Sequence, residues 1–265
     1  MTGLQLIVLA IIQGLTEFLP VSSSGHLILV PSVLGWSDQG LAFDVAVHFG
    51  SLGAIVVFFR RDIVLLLRGG MQVLGAKVET VESRMALGIA LATIPAAIAG
   101  LMLAGWIEAN LRSPAVIACT LSGYAILMIA ADRLGRRTRT LATIRVTDAV
   151  LIGLAQTLAL VPGTSRSGVT ITAAMALGFD RQDAARFSFL LAVPVILLAS
   201  GYELARLIAT DVPVAWGQLG ISALVSSIVA YLSIEFFMRF VNRIGLLPFA
   251  IYRLALAVVI LYVLV

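Results

Sequence analysis

Charge is what this chain has least of. Only 12% of its 265 residues are Asp, Glu, Lys or Arg, about half the share of an ordinary soluble domain. Against that, 60% are hydrophobic and the mean hydropathy is +1.07, the balance of a chain dissolved in lipid. Cys119 is the single cysteine, which excludes an intramolecular disulfide and argues against a cysteine-based metal site. No Lys or Arg precedes Arg60, so the cationic start of a secretory leader is missing and the first apolar segment is expected to be retained. The net charge of +4 makes no case for nucleic acid, because the cations lie between apolar segments, as membrane topology signals do.

What is present in abundance is apolar sequence long enough to cross a bilayer, for which a helix needs roughly 20 residues. Six such segments lie near 43–59, 85–106, 114–132, 184–205, 215–238 and 247–265. Two others, 4–35 and 148–179, are apolar at both ends but broken in the middle by Pro, Gly and hydroxyls. Read as one helix, the first would carry Pro20 and Gly25 in its interior, where proline costs about 3 kcal/mol. Broken backbone at membrane depth needs protein or water around it, so both are expected to be re-entrant hairpins. The fold class is therefore an all-α integral membrane protein.

Cations set the expected orientation. Arg60, Arg61, Arg68, Lys77 and Arg84 fall in the 60–84 loop, and Arg133, Arg136, Arg137, Arg139 and Arg145 in the 133–147 loop. Arg181, Arg239 and Arg243 share that side, while the 107–113 and 206–214 loops carry only Arg112 and Arg206. The cation-rich side is expected to be cytoplasmic, with both chain ends outside. The first hairpin then enters from outside and the second from the cytoplasm.

The two broken segments echo each other. Gln13-Gly-Leu-Thr-Glu17-Phe-Leu-Pro20-Val-Ser22-Ser23-Ser24-Gly25-His26 shifted by 143 residues places Gln13 on Gln156, Ser22 on Ser165, Ser24 on Ser167 and Gly25 on Gly168. Leu87-Gly88-Ile89 likewise resembles Leu219-Gly220-Ile221, and Asn110 precedes Pro114 much as Asn242 precedes Pro248. One hairpin and three spans make a half, and three is odd, so the second half is expected to be inverted relative to the first. The domain expectation is a single membrane domain, 1–265, with repeats near 1–140 and 145–265. Inverted repeats with broken helices place a site near the midplane, where the halves meet.

The second tip, Pro162-Gly163-Thr164-Ser165-Arg166-Ser167-Gly168, has the makings of an anion cradle. Glycines allow close backbone approach, hydroxyls donate, and a helix start offers N–H groups. Arg166 adds a planar fork suited to phosphate or carboxylate. An arginine that merely neutralises Glu17 is the plainer reading, but it leaves Thr164, Ser165, Ser167 and Thr170 around it without purpose. The first tip is opposite in character. Glu17 is the only ionisable side chain before His26, with Gln13 one helical turn back. A carboxylate at membrane depth costs about 2.5–3.5 kcal/mol on insertion scales and must be protonated, paired with a cationic side chain, or bound to a metal ion such as Mg²⁺. Ser22, Ser23, Ser24 and His26 serve either a helix cap or nucleophilic chemistry. Candidate substrate-binding residues are Gln13, Ser22, Ser24 and Gly25 at the first tip, with Gln156, Gly163, Thr164, Ser165, Ser167, Gly168 and Thr170 at the second. Asp44 and His48 read as structural. Glu203 with Arg206 and Glu235 with Arg239 read as interfacial ion pairs, and Arg253, inside the last span, needs a partner.

Together these motifs resemble the undecaprenyl-diphosphate phosphatase family of bacterial membrane enzymes, the group linked to bacitracin resistance. The resemblance runs through Gln13 to Glu17, residues 18–26, residues 162–168, Phe187-Ser-Phe-Leu-Leu-Ala-Val-Pro194 and Pro248-Phe-Ala-Ile-Tyr-Arg253. It implies hydrolysis of the lipid undecaprenyl diphosphate to the monophosphate in the bacterial inner membrane, at a site open to the periplasm, with a divalent cation, Mg²⁺ or Ca²⁺. It also implies Glu17 as metal ligand or acid/base, Ser23 as nucleophile, His26 as its proton partner and Arg166 as the clamp on the diphosphate. Many members carry glutamate where this chain has Gln13, and an amide cannot take a proton. Direct attack by water remains the alternative to phosphoserine. A polyprenyl-phosphate flippase using the same anion site is the alternative function, and a homodimer is compatible with either.

Overall fold

A computed structural model describes residues 2–209 and 215–264. The described chain folds into eleven α-helices: α1 (Gly3–Thr16), α2 (Ser23–Leu34), α3 (Leu41–Phe58), α4 (Arg60–Leu74), α5 (Val81–Asn110), α6 (Pro114–Leu134), α7 (Val146–Thr157), α8 (Arg166–Ala176), α9 (Arg181–Ala209), α10 (Trp216–Ile244) and α11 (Leu247–Leu264). Six of them, α3, α5, α6, α9, α10 and α11, are long and apolar enough to cross a membrane, in the places where the apolar runs put them. The expected 206–214 loop falls largely outside the described residues, as do both chain ends.

Local chemistry sets the helix boundaries. Thr80 caps α5 by accepting from Ser83 N. Ser113 caps α6 by accepting from Val116 N, and Pro114 follows at the first helical position, where its missing N–H costs nothing. The 60–84 connection was expected to be a loop; the structure corrects this, because it contains α4. Ile63 and Leu66 stand three residues apart and pack on the core, while Arg60 and Leu67 on the outer surface are exposed. That spacing is helical, and the cation count that assigned the segment to a loop is blind to it.

The helices pair across the two halves of the chain. α1 packs on α10, α7 on α5, α3 on α10 and on α9, and α6 on α11. α3 and α10 come into backbone contact at Gly50, where a Cβ would sit 2.1 Å from the Ala223 carbonyl oxygen. From the first broken segment into the core runs a line of aromatic rings, Phe18, Phe189, Phe237 and Phe249, with successive centroids 5.6, 5.7 and 5.3 Å apart.

On the cation-rich side, Arg139 joins the two ends of the second broken segment. Its guanidinium binds Asp148 at the start of α7 at 2.5 Å and donates to the Leu177 carbonyl after α8 at 3.0 Å. Burial raises the Asp148 pKa, but the Arg139 fork and the Arg145 N–H outweigh it and hold this carboxyl below its ordinary value. The pair therefore contributes stability that is complete above about pH 4, the unfolded carboxylate pKa, and is lost as pH falls through the folded value. Nearby, Asp132 of α6 accepts from Arg181 at 2.5 Å and from Leu246 N at 3.1 Å, tying α6, α9 and α11 together.

Replacing Gly50 by Ala is expected to force α3 and α10 apart and cost about 1–3 kcal/mol. The nearest atom to a Cβ at Gly53 is 3.5 Å away, so Gly53→Ala is expected to be tolerated. Thermal unfolding midpoints in detergent compare the two; equal midpoints would contradict the close crossing.

Candidate active site

Both broken segments turn in the same way. Ser22 caps α2 at φ 75°, ψ 97° and accepts from Gly25 N. Ser165 caps α8 at φ 71°, ψ 113° and accepts from Gly168 N. Each cap hydroxyl also meets the serine two residues on, Ser24 at 3.2 Å and Ser167 at 3.3 Å. Left-handed backbone at a residue with a Cβ is strained, and the cap bonds hold it. Ser22, Ser165, Gly25 and Gly168 are thus committed to shaping two helix starts, and both helix starts carry a positive dipole end.

The two turns meet. Ser167 Oγ donates to the Leu19 carbonyl at 3.1 Å, and Gly163 N donates to Ser24 Oγ at 3.3 Å. Gly163 lies at φ +88°, and a Cβ there would fall 2.2 Å from Thr120 Oγ1, so only glycine lets the second turn lie against α6. Thr120 Oγ1 donates to the Pro162 carbonyl at 2.7 Å. Arg253 of α11, 1% exposed, lies between the turns. It donates to the carbonyls of Gly163 and Thr164 at 3.0 Å each, of Leu121 at 3.2 Å and of Pro20 at 3.5 Å. The partner that the sequence could not name for Arg253 is the backbone of both turns.

At this junction Glu17 is the hub. Its Oε1 accepts from Arg166 Nη2 at 3.2 Å; its Oε2 accepts from Ser23 Oγ at 2.9 Å and from Gln13 Nε2 at 3.1 Å. The Arg166 side chain is 11% exposed and that of Glu17 8%. Arg166 also donates to the Ser188 carbonyl at 3.4 Å and lies 5.9 Å from the centroid of the Phe18 ring. A hydroxyl, a carboxylate that can take its proton and a guanidinium that can bind an anion thus share one cluster, at two helix starts.

His26 sits differently from its expected role beside Ser23. Its Nδ1 is 2.7 Å from the Ser22 carbonyl and its Nε2 is 2.6 Å from Tyr252 Oη. A carbonyl only accepts, so Nδ1 carries the proton and Nε2 accepts from the tyrosine. Ser23 donates to Glu17 instead. Thr170 is buried and bonds Ser188 Oγ at 2.6 Å, so it braces α8 on α9. Thr164 Oγ1 is buried with no partner among the described residues. Gln156 is not drawn into the cluster; its Nε2 donates to the Ala92 carbonyl of α5 at 3.4 Å. His48, read as structural, has its Nε2 3.8 Å from Glu17 Oε2. Of the expected interfacial pairs, Glu203–Arg206 forms at 3.2 Å, whereas Arg239 lies over the Phe240 ring.

The family model described as "Bacitracin resistance protein BacA" matches residues 6–259. The chain belongs to this family. Among its relatives is an undecaprenyl-diphosphatase of Alcanivorax borkumensis, 51% identical over 262 residues and 99% of both chains. An undecaprenyl-diphosphatase 2 of Stutzerimonas stutzeri is 51% identical over 261 residues, 97% of each. An undecaprenyl-diphosphatase of Nitrosococcus oceani is 49% identical over 262 residues, 99% of each. The family resemblance read from the motifs and this full-length similarity agree.

Within this BacA-family chain, Arg253→Lys keeps the charge but loses the fork, leaving buried carbonyls unpaired at about 1–3 kcal/mol each. The unfolding midpoint in detergent is expected to fall. A midpoint equal to that of the unaltered chain would show that the guanidinium does not hold the turns.

Proposed function

We propose that this chain hydrolyses undecaprenyl diphosphate to undecaprenyl phosphate and inorganic phosphate, recycling a lipid carrier for cell-wall synthesis. The relatives' names supply the substrate. The observation that carries the chemistry is the Ser23–Glu17–Arg166 chain of hydrogen bonds. A binding site for a flippase needs the guanidinium and the amides, but no hydroxyl aligned on a carboxylate.

In this reading the terminal phosphate lies against Arg166 and the N-termini of α2 and α8, where donors offset the developing charge. Ser23 Oγ attacks the terminal phosphorus and passes its proton to Glu17. The bond from that phosphorus to the bridging oxygen breaks, and undecaprenyl phosphate leaves. Water then cleaves the phosphoserine, releasing inorganic phosphate and restoring Ser23. His26, locked by Ser22 and Tyr252, positions the α2 start. With no metal bound, Gln13 orients Glu17 by donating to Oε2, a task an amide can perform without titrating.

A divalent cation, Mg²⁺ or Ca²⁺, fits the residues present. Gln13 Oε1 is buried with no partner among the described residues, next to the Glu17 carboxylate, and substrate phosphate and water would complete an oxygen shell in magnesium's usual manner. Glu17 and Gln13 would hold such an ion, which would supply neutralisation of diphosphate charge.

The proposal extends to architecture. The chain forms one membrane domain of two inverted repeats, near 1–140 and 145–265, each with a re-entrant hairpin. Supporting this are the matched caps at Ser22 and Ser165, the reciprocal packing of α1 on α10 and α7 on α5, and Arg139 joining both ends of the second hairpin. The cation-rich side is cytoplasmic by the charge rule, which puts the first turn on the periplasmic side, and the site opens there. The prenyl tail lies in lipid between helices.

Phosphate release from undecaprenyl diphosphate by purified protein tests the reading. Arg166→Ala is expected to lower the rate about 10²–10³-fold, and Ser23→Ala or Glu17→Gln at least about 10²-fold. Chelating divalent cations is expected to stop release. A folded wild type that binds the lipid without releasing phosphate would favour the flippase, and a Ser23→Ala variant near full rate would transfer the attack to water.

A further inference from the structure

One imidazole at the site has no task in the reaction just described. His48 is borne by α3, outside both turns, and its side chain is one-third exposed. Its Nδ1 lies 2.7 Å from the Asp44 carbonyl, one turn earlier on the same helix. A carbonyl can only accept, so Nδ1 carries the hydrogen, and in the neutral ring Nε2 presents a lone pair. That lone pair is 3.8 Å from Glu17 Oε2, beyond hydrogen-bond range. A neutral imidazole and a carboxylate held apart in this way leave room for a cation between them. Ligands each about 2.0–2.2 Å from one ion stand roughly 3–4 Å from each other, which spans this separation. An imidazole anchored through its other ring nitrogen to a backbone carbonyl is also the usual setting of a metal-bound histidine.

Gln13 provides an independent observation. It is fully buried, and its Oε1 has no hydrogen-bond partner among the described residues. Leaving a buried acceptor unpaired costs about 1–3 kcal/mol, so the residue is poorly satisfied as it stands. An amide has nearly the same shape when turned over. Turned, its oxygen takes the position of Nε2, 3.1 Å from Glu17 Oε2, again the separation of two ligands sharing one ion.

We propose that His48 Nε2 is a protein ligand of the divalent cation, completing with Glu17 and Gln13 a three-donor site for a metal that also meets substrate phosphate. This rests on the phosphatase reading of the same residues and deepens it. Two oxygen donors carrying a single negative charge make a weak site, and imidazole supplies the third protein donor. It also changes the preference. Mg²⁺ and Ca²⁺ select oxygen, whereas a nitrogen donor favours first-row transition ions in the order in which imidazole binds them. His48 thus adds more to the affinity for a transition ion than to that for Mg²⁺ or Ca²⁺.

The test uses the full-length protein in detergent with Co²⁺ as the probe, followed by visible d–d absorption and by the proton spectrum. The unaltered chain is expected to bind Co²⁺ and to show a hyperfine-shifted imidazole N–H resonance, that of Nδ1–H on a coordinated ring. His48→Gln is expected to lose this resonance and to bind Co²⁺ at least about tenfold more weakly, with Mg²⁺ affinity, measured by competition, falling less. Because the resonance is read on the unaltered chain, its absence from a Co²⁺-loaded wild type overturns the assignment whether or not the variant folds. Co²⁺ held as tightly by His48→Gln as by wild type, and lost from Glu17→Gln, overturns it too while leaving a metal at Glu17. Co²⁺ bound with the shifted resonance by a protein that releases no phosphate under any divalent ion upholds the His48 ligand and removes the phosphatase reading.

Discussion

Glu17 and Arg166 form a charged pair at the junction of two polar turns in an otherwise apolar body, and the surrounding structure answers the cost of placing it there. Taking charges out of water is expensive, and mutual attraction offsets that cost only when geometry is good and the remaining donors and acceptors are satisfied. Here each carboxylate oxygen has a donor: Arg166 on Oε1, Ser23 and Gln13 on Oε2. The guanidinium is supported in turn by the Ser188 carbonyl and the edge of the aromatic line. The carboxylate comes from one half of the chain and the guanidinium from the other, so the site exists only once the halves have docked.

Docking is secured by backbone acceptors more than by side-chain pairs. Arg253 gathers carbonyls from both turns, Thr120 takes that of Pro162, and Ser167 takes that of Leu19. Turns that break a helix within apolar surroundings leave carbonyls that must be satisfied inside the protein. Satisfying them with a buried cation has a second effect: it holds the turns more rigidly than a flexible contact would. The strained caps at Ser22 and Ser165 belong to the same logic, aiming two helix starts at one point.

Much of this was legible in advance. Apolar length alone located the six long helices, because crossing a bilayer sets a minimum number of residues and the sequence meets it six times. The polar turns stood out because hydroxyls, glycines and one carboxylate are costly in lipid unless used. The family followed from the same motifs. Helix α4 was missed because cations at 60–84 dominated the reading while Ile63 and Leu66, at helical spacing, were overlooked. His26 next to three serines suggested a proton relay, yet Tyr252, 226 residues later, holds its ring elsewhere. His48 and Glu17 are separated by an entire helix, and no spacing rule links them.

The sequence by itself determined the solvent, the number of long helices, the place of both turns and the chemical types gathered at them, since each is a property of local composition and period. Only the tertiary structure decided which of those groups touch. Ser23 meets Glu17, His26 meets Tyr252, Gln156 turns to α5 and Arg253 ties the turns together, because such contacts depend on how helices distant in the chain cross. Crossing is set by close approaches such as Gly50 on Ala223, which no one-dimensional pattern records.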